Sequence, residues 1–240
     1  MDSILKINNL NFKYKNSDCN ILENFNLNIK KGEFVSILGA SGSGKTTLLR
    51  ILAGLEKVNL KSILNNSLKI SYMPQNDSLL PWKNILENIV LPLDIQGVDK
   101  ETSLKKAKDL LKVLSLSQWG NSYPKELSGG MRQRISLVRT LISDADLLLL
   151  DEPFSALDSI TKIFLREWLS EIILNLDKTF LFVTHDIDEA IYLSDRIIVI
   201  KNSPIKDFKE FHINKNLSNI DLNNLRNNIL TTIKGEKYEK

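Results

Sequence analysis

Two glycines five positions apart, followed at once by a lysine and a threonine, stand at Gly39, Gly44, Lys45 and Thr46 in ILGASGSGKTTLLRILAG, residues 37–54. They satisfy the pattern G-x-x-x-x-G-K-[ST], whose chemistry is phosphate binding. A glycine-rich loop can turn its backbone N–H groups inward around a phosphate, and the positive end of the following helix adds to the field. Lys45 would neutralise the terminal phosphates, and the Thr46 hydroxyl would bind Mg2+. The pattern carries this meaning only between a strand and a helix. The apolar run FVSIL, 34–38, precedes it, and a helix is predicted from about Lys45 to Leu52.

Phosphate loops are shared by kinases, GTPases and motor ATPases, and DADLLLLDEPFSALD, 144–158, narrows the choice. Four leucines predict a buried strand ending in two acids. Asp151 is placed to hold Mg2+ through a water, and Glu152 to polarise an attacking water. Pro153 stops the strand. A further apolar run, FLFV at 180–183, leads to His185, one of only two histidines in the chain. A lone histidine is often structural, but a neutral imidazole at the same sheet edge can contact a γ-phosphate and position water with Glu152.

The stretch LSGGMRQR, 127–134, places two of the chain's ten glycines side by side. Ser128 is a good N-cap, so Gly129 and Gly130 are explicable as a simple helix start. The same geometry exposes amides at a helix N-terminus and makes a second phosphate cradle, to which Ser128 adds a hydroxyl. One nucleotide does not need two cradles from one chain. A head-to-tail symmetric dimer with two ATP molecules buried at its interface accounts for both.

The elements that must position these residues alternate along the chain. ILKINNLNFKY (4–14) and NFNLNIKKGEFVSIL (24–38) begin with apolar and polar residues in alternation, as half-buried antiparallel strands do. FVSIL, LLLL (147–150) and FLFV are apolar throughout, like strands of a parallel sheet covered on both faces. Helical spacing groups Leu104, Ala107, Leu110, Leu111 and Leu114; Met131, Ile135, Val138 and Ile142; and Ile160, Phe164, Leu165, Trp168 and Ile172. The predicted class is α/β. With 240 residues, 42% hydrophobic and 25% charged, the chain can bury a full core in one large domain or in one domain with a small subdomain. Its net charge of +3 is spread out, without a run of five like charges. The lone Cys19 cannot form an internal disulfide, which fits a reducing compartment. The segment MDSILKINNLNFKYK does not read as a signal peptide, and no apolar run approaches the ~20 residues of a membrane helix. A cytosolic protein is expected, reaching a membrane only through a partner.

Taken in order, GASGSGKT (39–46), MPQ (73–75), LSGGMRQR (127–134), LLLDEP (148–153), SALD (155–158) and VTHD (183–186) resemble the nucleotide-binding subunits of ATP-binding cassette (ABC) transporters. The resemblance runs from about Ile4 to Ile200, and no other phosphate-loop family combines these motifs in this order. It implies the ABC-ATPase variety of phosphate-loop fold, with a mixed or parallel core sheet, an antiparallel β-subdomain and a helical subdomain at about 76–140. It implies that Gly39, Ala40, Ser41, Gly42, Ser43, Gly44, Lys45, Thr46 and Thr47 wrap ATP, with Tyr14 stacked on the adenine. Gln75 would sense Mg2+, alongside Thr46 and Asp151, as well as the membrane partner. Ser128, Gly129 and Gly130 would face the ATP of the opposite subunit, with Asp158 linking the two sites and Glu152, His185 and Lys45 carrying the catalysis.

A finer resemblance lies in LLPWKNILENIVLPL, 79–93, which looks like the importers of nitrate, sulfonates, taurine, bicarbonate or thiamine pyrimidine precursors. It implies Pro81 and Trp82 on a surface that receives the permease; the alternative is a Trp82 buried in the helical subdomain. An extracytoplasmic solute-binding protein would then act indirectly, and the chain would sit peripherally on the cytoplasmic face of the cell membrane. The segment between Gly54 and Gln75 is shorter than usual in the family and lacks its glycine-bearing hairpin, implying a trimmed antiparallel subdomain. Beyond Ile200, Leu222, Leu225, Ile229 and Ile233 share a face and predict a short amphipathic helix within 201–240, packed on the chain's own core or on a partner. Cassette ATPases acting on nucleic acid or ribosomes are the alternative function. The absence of a coiled-coil insertion, a second cassette and a basic stripe argues against them, and no nucleic-acid partner is expected. A small-molecule kinase would leave LSGGMRQR without a purpose.

Overall fold

A computed structural model describes residues 2–15, 17–58, 62–64, 68–175, 178–214 and 218–234. The chain divides into two compact units, Met1–Leu68 with Arg166–Lys240, and Lys69–Leu165. In chain order the first unit begins with β1 (Ser3–Phe12), β2 (Leu22–Lys30), β3 (Phe34–Gly39), α1 (Lys45–Leu52) and β4 (Ile63–Leu64). The second carries β5 (Ile70–Met73), α2 (Ile85–Ile95), α3 (Lys100–Val113), α4 (Gly129–Leu141) and β6 (Leu147–Asp151). The helix α5 (Ser159–Asn175) then leads back to β7 (Thr179–Val183), α6 (Ile187–Leu193), β8 (Arg196–Ile200), β9 (Phe208–His212) and α7 (Asn219–Lys234).

In the first unit, β2, β1 and β4 form an antiparallel sheet. Its strands alternate as the sequence does: Leu5 and Ile7 of β1 and Leu27 and Ile29 of β2 are buried, with polar neighbours facing out. Among the described residues, Ile63 and Leu64 extend this sheet, beside Ile7 and Lys6. The short 55–74 segment thus supplies a two-residue edge strand, while 59–61 and 65–67 lie outside the described residues. A second sheet layer runs β7-β3-β8 in parallel with β9 antiparallel at its edge. Every residue of β3, β7 and β8 is buried, which explains their continuous apolar runs. Arg196 enters this layer by pairing with Glu33 at 2.7 Å and Glu210 at 3.0 Å. Against the other side of β3 and β8, α7 places Ile229, with Leu225, Leu230 and Ile233, on a core of Leu38, Ile187, Ala190, Ile197 and Val199. The tail helix therefore packs on the chain's own core.

The second unit pairs β5 and β6 in parallel, Ile70 with Leu147 through Met73 with Leu150. Its three helices start at side-chain caps. Asn84 and Glu87 form a capping box on α2, Asp99 accepts from the Thr102 amide, and Ser128 accepts from the Met131 amide. The Asp99 carboxyl is held below its ordinary pKa by hydrogen bonds from Thr102. Ala107, Leu111 and Leu114 are buried in and beyond α3, and Ile135 and Val138 in α4, as their spacing predicts.

The predicted face of α5 needs correction. Leu165, Trp168 and Leu169 form its buried stripe, whereas Ile160 is 81% and Phe164 45% exposed. Apolar residues occupy more than one side of its first turns, because Ile163 joins them, so periodicity alone cannot select the face that packs.

Candidate functional site

In the first unit, β3 delivers the chain into the phosphate loop. Gly39 is fully enclosed: a Cβ there would lie 2.8 Å from the Ile200 carbonyl oxygen. At Gly44, φ is +99° and a Cβ would meet the Ile21 side chain at 2.7 Å, so only glycine fits. Gly44 caps α1 without a side chain, and the first turn holds no acid, so no local carboxylate offsets the positive helix end. Lys45 is buried and folds back over the loop, its Nζ donating to the carbonyls of Gly39 at 2.9 Å and Ala40 at 2.8 Å, and to Ser43 Oγ at 3.4 Å. Ala40, Ser41, Gly42 and Thr46 are exposed around it. The Tyr14 and Thr47 hydroxyls are 3.4 Å apart, and the Tyr14 ring stands edge-on to Phe12 at 5.0 Å.

The strands β3 and β7 are adjacent and parallel, with Ile37 beside Val183. Gly39 and His185 each lie two residues beyond that pair, so loop and histidine leave the same sheet edge. His185 is exposed, next to a buried Thr184 whose hydroxyl accepts from the Asp186 amide and bonds the Glu189 carboxylate. Asp186 in turn caps α6. These bonds fix the turn that carries His185.

An equivalent register places the acids of the second unit. Met73 pairs with Leu150, and two residues further on Gln75 Nε2 donates to Glu152 Oε2 at 3.1 Å. Glu152 adopts a positive φ of 48°, a conformation disfavoured for a residue with a side chain. Asp151 is fully buried and accepts from the Tyr72 hydroxyl at 3.3 Å. With its Nε2 engaged, Gln75 retains a carbonyl oxygen. Within this unit, that oxygen and the Asp151 carboxylate are hard oxygen donors of the kind that suits Mg2+; in the first unit, the Thr46 hydroxyl is a donor of the same kind.

Ser128 caps α4, so its hydroxyl serves the helix start as well as any ligand. Gly130 is constrained within the chain, for a Cβ there would come 3.1 Å from Leu157 Cδ2. Gly129 is exposed and has nothing nearer than Arg132 Nη2 at 3.9 Å. Asp158 caps the start of α5, accepting from the Thr161 amide at 3.0 Å and hydroxyl at 2.7 Å. These bonds hold its carboxyl below the ordinary value.

Sequence reasoning missed the residues that tie these parts together. Arg132 binds Asp77 at 2.8 Å, Arg139 donates to the carbonyls of Asp77 and Ser78, and Gln133 reaches the Gln75 carbonyl at 3.4 Å. The helix behind the glycine pair thus grips the segment that follows Gln75. Burial holds the pKa of Arg139 below its ordinary value, opposed by the charge of Asp77. Asn88, buried in α2, donates to the carbonyls of Leu80, Lys83 and Asn84 and accepts from the Leu80 amide at 2.7 Å. This one amide braces the turn that presents Pro81 and Trp82, and Trp82 is 70% exposed. The arginines of LSGGMRQR were legible as a basic first turn, but their partners were not. Nothing in the sequence marks Asn88.

Comparison with known proteins identifies the family. The family described as ABC transporter matches residues 22–155. The chain is 42% identical to the formylaminopyrimidine import ATP-binding protein ThiZ of Halalkalibacterium halodurans, over 88% of this chain and 84% of that one. It is also 42% identical to the aliphatic sulfonates import ATP-binding protein SsuB of Bacillus cereus, over 82% and 80%. Among solved structures, it is similar to the ATP-binding cassette MJ0796 in a dimeric post-hydrolysis state with ADP and Pi. The TM-score is 0.77 at 34% identity, covering 88% of this chain and 99% of that one. Phosphate loop, strand-end acids, glycine-pair helix and overall similarity together lead to one assignment: the chain belongs to the ABC transporter family, as one of its ATP-hydrolysing cassettes.

Proposed function

We propose that this chain powers solute import, two copies closing head to tail on two Mg-ATP and reopening after hydrolysis to move a permease pair. The carrying observation is the Gln75–Glu152 hydrogen bond of 3.1 Å, which joins the residue assigned to sense the permease to the proposed general base. In this reading Gly39 to Thr47 wrap the phosphates, and Lys45 exchanges the loop carbonyls for phosphate oxygens. Tyr14 stacks on adenine. Glu152 takes a proton from the attacking water, which His185 helps to orient toward the γ-phosphorus, and ADP and phosphate leave. Thr46, Gln75 and Asp151 would hold Mg2+, which when bound offsets the phosphate charge. Ser128, Gly129 and Gly130 of one copy complete the site of the other, and Asp158 links the two.

The exposed Pro81 and Trp82, braced by Asn88, form the permease contact, at the cytoplasmic face of the membrane. No helix among the described residues is long and apolar enough to cross a membrane. The names of ThiZ and SsuB support a cargo of the thiamine-precursor or sulfonate kind, delivered to the permease by an extracytoplasmic binding protein. Affinity capture from detergent-solubilised membranes tests this reading. Wild type should retain a polytopic membrane protein, and Trp82→Ala should lose it while keeping ATP binding. Salt-sensitive DNA binding with no membrane partner would overturn the proposal in favour of a nucleic-acid machine.

A further inference from the structure

A cavity of about 470 Å3 opens among α5, α6 and α7, lined by side chains the phosphate chemistry does not use. Its size falls within the range of small-molecule sites. Two arginines face it. Arg226 is matched by Asp188 at 2.9 Å, but Arg166 has no carboxylate within ion-pair distance among the described residues. The Arg166 guanidinium instead lies over the Tyr192 ring, 4.4 Å from its centroid, and its buried Nε has no hydrogen-bond partner among the described residues. Stacking fixes the group in place before any ligand arrives, which lowers the entropy cost of binding. Asn223 adds an amide at the wall, and Ile191 and Leu222 make it partly apolar.

We infer that this cavity binds a small organic anion, its oxyanion head on Arg166 and its apolar body against Ile191 and Leu222. The excess positive charge, the preorganised guanidinium and the mixed lining select that class over a bare inorganic ion or a cation. An occupant touches all three helices at once, so binding also holds α7 on the body of its unit.

The full-length chain, with ADP present to fill the phosphate loop, can be titrated with the fluorescent anion 1-anilinonaphthalene-8-sulfonate, using hexanoate as competitor. One saturable site displaced by hexanoate is expected, with slower amide exchange across 219–234. Arg166→Gln should weaken binding by about tenfold, the loss of one charge-assisted contact. Asn223→Asp, at an exposed position and therefore tolerant, should weaken it by repelling the head group even if Arg166→Gln fails to fold. Unchanged affinity in Asn223→Asp or in folded Arg166→Gln would overturn the inference. So would binding that requires an empty phosphate loop, or no binding up to about 1 mM, where affinity falls to that of a fragment.

Discussion

Gly129 and Gly130 stand side by side yet answer to different constraints. Gly130 is held by Leu157, so Gly130→Ala should disturb the fold locally, by about 1 kcal/mol as small overpacking does. Gly129 has open space and ordinary backbone angles. Gly129→Ala should therefore leave thermal stability unchanged or raise it by up to about 1 kcal/mol, since alanine favours a helical turn. If its bare backbone edge must approach a phosphate of the second copy, the same substitution should abolish ATP-dependent dimerisation. Calorimetry beside sizing in ATP separates the two effects, and a stable Gly129→Ala chain that still pairs would remove the role assigned to the glycine. At Gly39 the enclosure is within the chain, and Gly39→Ala, with its Cβ pressed on the Ile200 carbonyl, should cost about 2 kcal/mol in a denaturant titration. The pattern G-x-x-x-x-G-K-[ST] made Gly39 visible in the sequence; the carbonyl that enforces it belongs to β8, some 160 residues away, and no local pattern points to it.

At the scale of elements, caps and buried pairs decide where helices and strands begin. Asp158 starts α5, and hydrogen bonds from the Thr161 amide and then its hydroxyl depress its carboxyl pKa. A depressed carboxyl contributes stability that is complete above the ordinary value of 3.8 and lost as pH falls through the lower folded value. Asp158→Asn should therefore lower stability modestly at pH 7, and the gap from wild type should close as pH falls below about 4, which thermal melts across pH would reveal. Burial opposes the charge of Arg196, but the hydrogen bonds and charge of Glu33, with Glu210, outweigh it and raise the Arg196 pKa. Arg196→Leu would strand Glu33 in a largely buried position, and a loss of about 3 kcal/mol is expected in denaturant titration. Elements were the most legible level. The runs FVSIL and FLFV read as doubly buried strands because covered parallel strands need no polar alternation. The spacing around 219–233 gave α7, and the structure chose its own core as the partner. The face of α5 was illegible because Ile160, Ile163 and Phe164 spread apolar surface around its first turns, and only packing selects among them.

For the whole molecule, the proposed function depends on ATP, a second copy and a permease. Trp82 illustrates the division of labour: at 70% exposure it contributes little to the fold, and Trp82→Ala should change stability by less than about 0.5 kcal/mol. ATP hydrolysis by the isolated chain should be unchanged, and transport in membranes should fail. The family was readable from ordered motifs, since each is a local requirement of phosphate chemistry. The contacts that join them, Arg132 to Asp77 and Asn88 to the turn beneath Trp82, were not, because they depend on which loops the fold brings together. The central claim is that Glu152 is the base in a site completed by a second copy. ATPase activity of wild type and Glu152→Gln, with oligomeric state read in ATP, tests it most directly. Hydrolysis should fall by at least about 100-fold, as loss of a general base requires, while the variant accumulates as an ATP-bound dimer. A Glu152→Gln chain that hydrolyses ATP at the wild-type rate, or remains monomeric in ATP while wild type pairs, would contradict it.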